Sequence, residues 1–248
     1  MNILVTNDDG ILAPALQALK AELSPLGRVV IVAPDRDQSA TSHSLTLHRP
    51  FRIHRHDTDV YSVDGTPTDC VVCAWYGLLD MKPDLVISGI NHGPNMGEDV
   101  FYSGTVAAAI EGAMQGALAV SVSLVTRQLT DFLEPAAFVG RLARQVMERG
   151  LPRRRLLNVN IPFLSWKEVR GVAITRLGSR VYRDTLVRKV DPRSRDYYWI
   201  GGEDPVWDPS PGSDFNAVHE GWISVTPLKL DLTDEPAVDT VGAWNLTK

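Results

Sequence analysis

The chain has 248 residues, of which 44% are hydrophobic and 22% charged, and its formal net charge is -5 at pH 7. A chain of this size can bury a large core in one domain, with or without an extension. The negative charge argues against sequence-independent binding to nucleic acid or anionic membranes, which need a basic surface. No charged leader precedes the first strand pattern, and no apolar stretch is long enough to span a bilayer. We therefore expect a cytoplasmic protein that binds neither.

The first 170 residues alternate short apolar runs with amphipathic segments. In chain order they predict a strand at 3–6, a helix from about Pro14, strands at 29–32 and 84–91, a helix at 106–114, a strand at 119–124, a helix at 132–148 and a strand at 157–161. Because strands and helices alternate, we predict an α/β fold with a doubly wound, mostly parallel sheet.

The pattern changes after about Gly171. Aromatic and polar residues alternate at 197–200 and 221–226, between clusters of Gly, Pro and Asp, which predicts hairpins. We therefore predict a catalytic core at 1–170 and a hairpin-rich C-terminal extension at 171–248. Apolar residues in segment 228–232 are suited to packing on a partner subunit.

Cys70 and Cys73 are the only cysteines, and their C-x-x-C spacing formally allows a redox or zinc site. They lie in an apolar, helix-like stretch, and no second Cys/His pair completes a zinc site. The sequence therefore favours two buried thiols on a helix face.

Asp8 and Asp9 directly follow the first predicted strand, in the tetrapeptide Asn7–Gly10. Open α/β sheets place their chemistry at the carboxyl ends of the strands. Adjacent carboxylates repel when both are ionised, so a divalent cation with oxygen ligands would stabilise the pair. The alternative is that Asp8 caps the next helix and Asp9 occupies a turn.

Three further polar segments follow predicted strands or open a helix. Ser39 and Asn91 could complete an oxygen-rich metal shell, or could simply be turn and loop residues. The segment Ser103-Gly104-Thr105 opens a small-residue helix, whose N-terminus could bind a phosphate or could be an ordinary cap. Together these groups describe phosphoester hydrolysis by a metal-activated water.

A histidine is a candidate for protonating the leaving group, because imidazole titrates near neutrality. His43, His92 and His219 are available, and a surface or structural role is the alternative for each. We rank His43 first, because it lies nearest in sequence to the predicted site.

These residues, together with four longer motifs, closely resemble the survival protein SurE family. The motifs are Val32–Arg36, Gly65–Cys70, Ser88–Asn91 and Tyr102–Ala109, in the family's order. The match is dense from Met1 to about Gly116 and looser over 197–199 and 221–227.

The resemblance implies a Rossmann-like, metal-dependent 5'/3'-nucleotidase, a phosphoric monoester hydrolase that also trims short polyphosphate in some members. One divalent ion is implied, magnesium or manganese first and cobalt or calcium also compatible. Homodimers or homotetramers that exchange C-terminal segments are implied as well. The implied residues are Asp8, Asp9, Ser39 and Asn91 for the metal, with Asp8 and Asp9 catalytic, and Asn95, Ser103, Gly104 and Thr105 for the phosphate of a nucleoside monophosphate.

Two other functions are compatible with an acidic pair after the first strand. A phosphatase with an aspartate nucleophile would need D-x-D spacing, whereas the acids here are adjacent. A non-catalytic, metal-dependent nucleotide-binding regulatory module would fit the pair, but it fits less well with the chain length and the Ser103–Thr105 segment.

Overall fold

The computed structural model describes residues 1–80, 82–126, 128, 131–181, 186–200, 206–207 and 210–246. The helices are α1 (Pro14–Leu23), α2 (Pro67–Cys73), α3 (Gly104–Gln115), α4 (Leu133–Arg149), α5 (Asp214–His219) and α6 (Glu235–Gly242). Short helical turns lie at Ser24–Leu26, Ala74–Leu78 and Gly97–Phe101. No helix within the described ranges is both long and apolar enough to cross a membrane.

Thirteen strands are formed by the described residues. They are β1 (Asn2–Thr6), β2 (Arg28–Pro34), β3 (Ile53–Asp57), β4 (Val60–Val63), β5 (Leu85–His92), β6 (Leu118–Val125), β7 (Arg155–Pro162), β8 (Gly171–Ile174), β9 (Arg180–Val181), β10 (Leu186–Val190), β11 (Asp196–Ile200), β12 (Val206–Trp207) and β13 (Trp222–Lys229).

Nine of these strands form one sheet, in the order β3-β4-β2-β1-β5-β6-β7-β13-β8. Neighbours are parallel except for the pairs β3–β4 and β7–β13. The central strands are apolar on both faces, as strands covered by helices on both sides must be. The predicted doubly wound, mostly parallel α/β sheet is confirmed.

Helices cover both faces of the sheet, and each face has its own apolar core. On one face, α1 and α4 pack through side chains such as Leu16, Leu19 and Val139. On the other face, α2 and α3 pack through Val71 and Ala108. Ala and Gly in α3 let that helix approach closely: a Cβ on Gly112 would lie 2.7 Å from Val86 Cγ2.

Both cysteines lie on α2, free and buried, as the sequence predicted. Burial raises the pKa of the Cys70 thiol well above its ordinary value and that of Cys73 to about 11. Burial in the neutral form disfavours nucleophilic and metal-ligating roles at neutral pH, because the thiolate is the reactive and ligating species.

The segment after residue 170 forms the predicted hairpin, β10 paired antiparallel with β11. Strands β9 and β12 form a second antiparallel pair, whereas β8 and β13 join the main sheet, where β13 pairs with β7 and β8. The division at 170/171 stays a prediction. In the 228–232 segment, Leu228 and Leu230 pack partly against the core beneath α3, whereas Leu232 is exposed.

Candidate active site at the switch point of the sheet

The strand order reverses between β1 and β5, because the chain runs outward from β1 through β2 and then returns to the other side of β1. Ligands of open α/β sheets bind at such a switch point, outside the carboxyl ends of the strands. Asp8 and Asp9 follow β1, and Asn91 lies near the end of β5. The fold therefore brings these predicted residues to one edge.

The turn that carries the acidic pair is rigid. The Asn7 side chain is buried, donates to the carbonyl of Gly10 (3.1 Å) and accepts from its N–H (3.2 Å). Gly10 has φ +96°, and a Cβ there would lie 3.0 Å from the carbonyl carbon of Arg36. Glycine thus allows the turn to pass close to the loop after β2.

Asp8 is buried, with 4% of its surface exposed, and both carboxylate oxygens contact Thr105. The Thr105 N–H donates to Oδ2 at 3.0 Å, and the Thr105 hydroxyl donates to Oδ1. Thr105 is the second residue of α3, so the N-terminus of this helix faces Asp8. In the structure, Thr105 therefore binds the carboxylate of Asp8. A contact between Thr105 and phosphate stays a prediction.

The acidic pair carries negative charge that no ion pair in the described part of the chain balances. Burial raises the pKa of Asp8, and burial together with the charge of Asp8 raises the pKa of Asp9 to about 6. Asp37 adds a third negative charge nearby. Among the described residues, no ion pair includes Asp8 or Asp9. A cation between the two carboxylates would balance this negative charge.

Ser39 lies on the exposed loop after β2 and is oriented by Asp37. Its N–H (2.7 Å) and hydroxyl (2.6 Å) both donate to Asp37 Oδ1, and the Gln38 N–H donates to the carbonyl of Asp8 (2.8 Å). Because the hydroxyl hydrogen is used, the oxygen lone pairs stay available for a cation. Asp37 was missed in the sequence, although its two-residue spacing to a serine is typical of an Asx turn.

Asn91 is oriented by its own loop. Its side-chain amide donates to the carbonyl of Gly93 (2.8 Å), which leaves Oδ1 free to accept or to ligate. The β5–β6 register shifts between Ser88 and Asn91, and such irregularities re-aim side chains at the rims of sheets. Two carboxylates, a hydroxyl and an amide oxygen form a donor set that suits magnesium or manganese.

This donor set contains only two acidic groups. Within the described ranges, no three His, Cys, Asp or Glu side chains converge as they would at a zinc or di-metal site. A site for one hard cation, completed by neutral oxygens and water, is consistent with that finding.

Of the predicted phosphate-binding residues, Ser103, Gly104 and Thr105 form the N-terminus of α3, whereas Asn95 lies in the loop after β5. Asn95 is buried, and its side-chain amide donates to Ser123 Oγ (2.8 Å). Its backbone carbonyl accepts from Asn158 (2.8 Å) and Asn160 (3.0 Å). Ser103 caps α3 by accepting from the Val106 N–H (3.0 Å). Sequence reasoning missed Asn158 and Asn160, because the strand that contains them is recognised by its apolar residues and nothing in the pattern marks its two asparagines as functional.

Of the three candidate acids, His92 lies beside Asp9, where its backbone hydrogen bond and its charge both oppose the rise in the pKa of Asp9. His43 Nε2 lies 2.9 Å from Glu111 Oε2, and Glu111 is six positions beyond Thr105, about 9 Å along α3. The ring of His92 lies 2.6 Å from the carbonyl of Gln128. His219 is an exposed residue at the end of α5. The role of His43 as the acid stays a prediction, and the observed contact is with a carboxylate on the flank of the helix.

Comparisons with known proteins agree with this architecture. The family model "Survival protein SurE" matches residues 3–184. A protein named 5'-nucleotidase SurE from Geobacter sulfurreducens is 50% identical over 248 residues, covering 100% of this chain and 95% of its own. One with the same name from Methylococcus capsulatus is 48% identical and covers 98% and 97%.

A crystal structure agrees as well. The SurE protein from Aquifex aeolicus superposes with a TM-score of 0.88 at 43% identity, covering 97% of this chain and 98% of that one. The match in sequence and in fold thus extends over nearly the whole length, including the switch point that carries Asp8, Asp9 and Asn91. The chain therefore belongs to the survival protein SurE family.

Proposed function

We propose that the protein hydrolyses nucleoside 5'- and 3'-monophosphates to nucleoside and phosphate, using one divalent metal ion. Relatives about 50% identical over the full chain are named 5'-nucleotidases, so the chain is a phosphomonoesterase that acts on nucleoside monophosphates. The metal, the 3' activity and any action on short polyphosphate are the finer parts of the proposal.

The observation that carries the proposal is the acidic pair after β1, of which the buried member, Asp8, contacts the N-terminus of α3. Among the described residues, no ion pair neutralises these two carboxylates, and their raised pKa values indicate a site that would be stabilised by a cation. The helix N-terminus beside them favours an anion. A phosphate ester bridging a cation and a helix N-terminus satisfies both.

Asp8, Asp9, Ser39 and Asn91 would hold the metal. When bound, a divalent cation there would acidify a water molecule and neutralise charge on the phosphoryl oxygens. Thr105 orients Asp8 through two hydrogen bonds, which favour the ionised carboxylate against the larger, opposing effect of burial on its pKa. The oxygen ligands of these four residues favour magnesium or manganese, and also admit cobalt or calcium.

Asn95, Ser103 and Gly104 would position the phosphate. Asn95 is fixed through its backbone and its amide, so its position is preorganised before substrate arrives. Of the first N–H groups of α3, Thr105 binds Asp8 and Val106 binds the Ser103 hydroxyl, so the Gly104 N–H is the group that would bind a phosphate oxygen.

The test is phosphate release from 5' and 3' nucleoside monophosphates by chelator-stripped protein, with magnesium, manganese or cobalt added back. Short polyphosphate is included as a further substrate. Asp8→Asn should abolish release, because it removes one anionic ligand. Asp84→Asn is the matched control: Asp84 lies at the amino edge of the sheet, where it accepts from the Asn2 N–H (2.8 Å).

Two outcomes would contradict the proposal. One is Asp8→Asn with most of the wild-type activity, which would mean that the assigned metal site is wrong. The other is metal-dependent nucleotide binding without release of phosphate from any substrate, which would favour the regulatory module.

We also propose self-association, as a dimer or tetramer, through the C-terminal extension. The β10–β11 hairpin exposes Tyr198, Trp199 and Ile200, and α6 has no buried residue. An isolated two-stranded hairpin is marginally stable in water, so a covering partner would stabilise it.

Light scattering tests the self-association. Trp199→Ser should lower the molar mass toward that of one chain, 27.3 kDa. Leu12→Ser, which changes an isolated exposed residue far along the chain from the hairpin, should leave the mass unchanged. A single-chain mass for the wild type would refute this part.

A further inference from the structure

The loop at residues 35–49 carries Ser39 and contains neither helix nor strand. Most of its residues are exposed, so apolar burial contributes little to its position. Polar contacts hold it instead. Near its start the Gln38 N–H binds the Asp8 carbonyl, and near its middle the Ser42 N–H binds the Tyr102 carbonyl (3.1 Å). A loop of this kind opens easily unless specific bonds hold it.

The second half of the loop is bound by Asp69, within the Gly65–Cys70 motif. Asp69 is only 2% exposed, and its carboxylate accepts from the Thr46 N–H (3.0 Å) and the Thr46 hydroxyl (2.6 Å). It also accepts from the Thr66 N–H (2.8 Å). A Cβ on Gly65 would lie 2.6 Å from Asp69 Oδ2, so glycine leaves the space that this carboxylate occupies.

Capping α2 explains only part of this arrangement. The capping box needs Asp69 to bind the Thr66 N–H and Thr66 to bind the Asp69 N–H, and both bonds are present. The two bonds to Thr46, and a bond from the Thr66 hydroxyl to the Ser44 carbonyl (2.7 Å), add nothing to the cap. They tie the loop to the helix.

The helix that holds the loop begins next to Gly104, the residue that also lies against Asp8. The position where a Cβ on Gly104 would lie is 3.1 Å from Pro67 Cγ and 3.0 Å from Asp8 Cβ. The start of α2 and the side chain of Asp8 therefore both lie against the start of α3. A loop fastened to α2 is held relative to Asp8.

We propose that Asp69 is a positioning residue, which through Thr46 holds the 35–49 loop so that Ser39 stays beside Asp8 and Asp9. The inference rests on the proposed metal-dependent function and deepens it. Asp69 itself does not touch the metal or the substrate. Its bond to the Thr46 hydroxyl is charge-assisted, the stronger class of protein hydrogen bond.

The variant Thr46→Val tests the proposal without disturbing the cap, because Asp69 keeps both of its bonds to Thr66. Thr46→Ser retains the hydroxyl and serves as the conservative rescue. Three quantities are measured in each: the dissociation constant for Mn²⁺ alone, the rate of tryptic cleavage in the loop, and kcat and KM for a nucleoside 5'-monophosphate.

For Thr46→Val, we expect the Mn²⁺ dissociation constant to rise roughly tenfold, in line with the loss of a hydrogen bond to a charged group. Cleavage after Arg36, which lies three residues before Ser39 in this loop, should accelerate by a similar factor. The kcat should fall more than KM rises, and Thr46→Ser should restore all three quantities to within about threefold.

Thr46→Val with wild-type Mn²⁺ affinity and wild-type cleavage would overturn the positioning role, as would a melting temperature lowered without any change in these readouts. The two proposals fail separately. If the wild type binds Mn²⁺ in a Thr46-dependent manner but releases no phosphate, positioning stands and the proposed function fails. If the wild type is active and Thr46→Val is equally active with equal Mn²⁺ affinity, positioning fails alone.

Discussion

Gly104 is the first residue of α3 and lies directly against the side chain of Asp8. A Cβ at this position would lie 3.0 Å from Asp8 Cβ, 3.1 Å from Asp8 Oδ2 and 3.1 Å from Pro67 Cγ. Ordinary contacts begin near 3.4 Å, so Gly104→Ala requires its neighbours to move by a few tenths of an ångström. The movable neighbour is the Asp8 side chain, which is bound to the same helix through Thr105.

The effects of Gly104→Ala on stability and on activity should differ. Overpacking costs about 1–3 kcal/mol, and replacing a helical glycine with alanine returns about 1 kcal/mol, so the free energy of unfolding should fall by about 0–2 kcal/mol. A metal site tolerates ligand displacements of only about 0.2 Å. We therefore expect kcat to fall by about 10- to 100-fold and Mn²⁺ affinity to weaken in parallel.

The assay is phosphate release with a Mn²⁺ titration on the same samples, together with urea unfolding. Gly140→Ala is the matched control, because a Cβ in that interior position of α4 would lie at an ordinary 3.4 Å from Glu22. The control should gain about 0.5–1 kcal/mol in stability and keep full activity. Wild-type kcat and Mn²⁺ affinity in Gly104→Ala would refute the argument that α3 sets the position of Asp8.

Three further predictions concern the neighbourhood of the site. Thr105→Val removes the hydroxyl that donates to Asp8, so kcat should fall at least tenfold and the free energy of unfolding by about 1–3 kcal/mol, and an unchanged kcat would count against the assigned role of Thr105. The hydrogen bond from His43 lowers the pKa of Glu111 from its ordinary 4.5. The ionised Glu111 therefore stabilises the folded state fully above pH 4.5, and this stabilisation is lost as the pH falls through the lowered pKa. Urea unfolding should therefore give the wild type a higher free energy of unfolding than Glu111→Gln at pH 7, and this difference should shrink in acid. A difference that does not depend on pH would contradict the prediction. Cys70 and Cys73 should resist a disulfide thiol reagent in the native protein at pH 7 and both react in denaturant, and rapid native labelling of Cys70 would contradict its burial.

Much of the fold could be predicted because its core consists of strands that are buried on both faces. A run such as Leu85–Ile87 reads as a strand from its apolar residues alone, and the alternation with helices dictates parallel pairing. β3 was not predicted, because all five of its residues are exposed and show no apolar alternation. The antiparallel return of β13 to β7 depends on a pairing across some 65 residues, which local patterns do not encode.

The site was predictable to the extent that strand ends determine it. Asp8 and Asn91 directly follow or end buried strands, so their meeting at one edge follows from topology. The partner of Thr105 did not follow, because a hydroxyl at a helix N-terminus can bind either a phosphate or a carboxylate. Only the packing of α3 on β5 and β6 brings Thr105 to the carboxylate of Asp8. The contact of His43 with Glu111 likewise depends on the path of an irregular loop.

The central claim is that Asp8 and Asp9 hold one divalent metal ion at the switch point of the sheet. Crystals soaked in Mn²⁺ and measured above and below the manganese absorption edge test it most directly. The account predicts one anomalous peak per chain, in contact with both carboxylates and with Ser39 and Asn91. Full Mn²⁺ exposure without a peak there, or with the peak elsewhere in the chain, would contradict it.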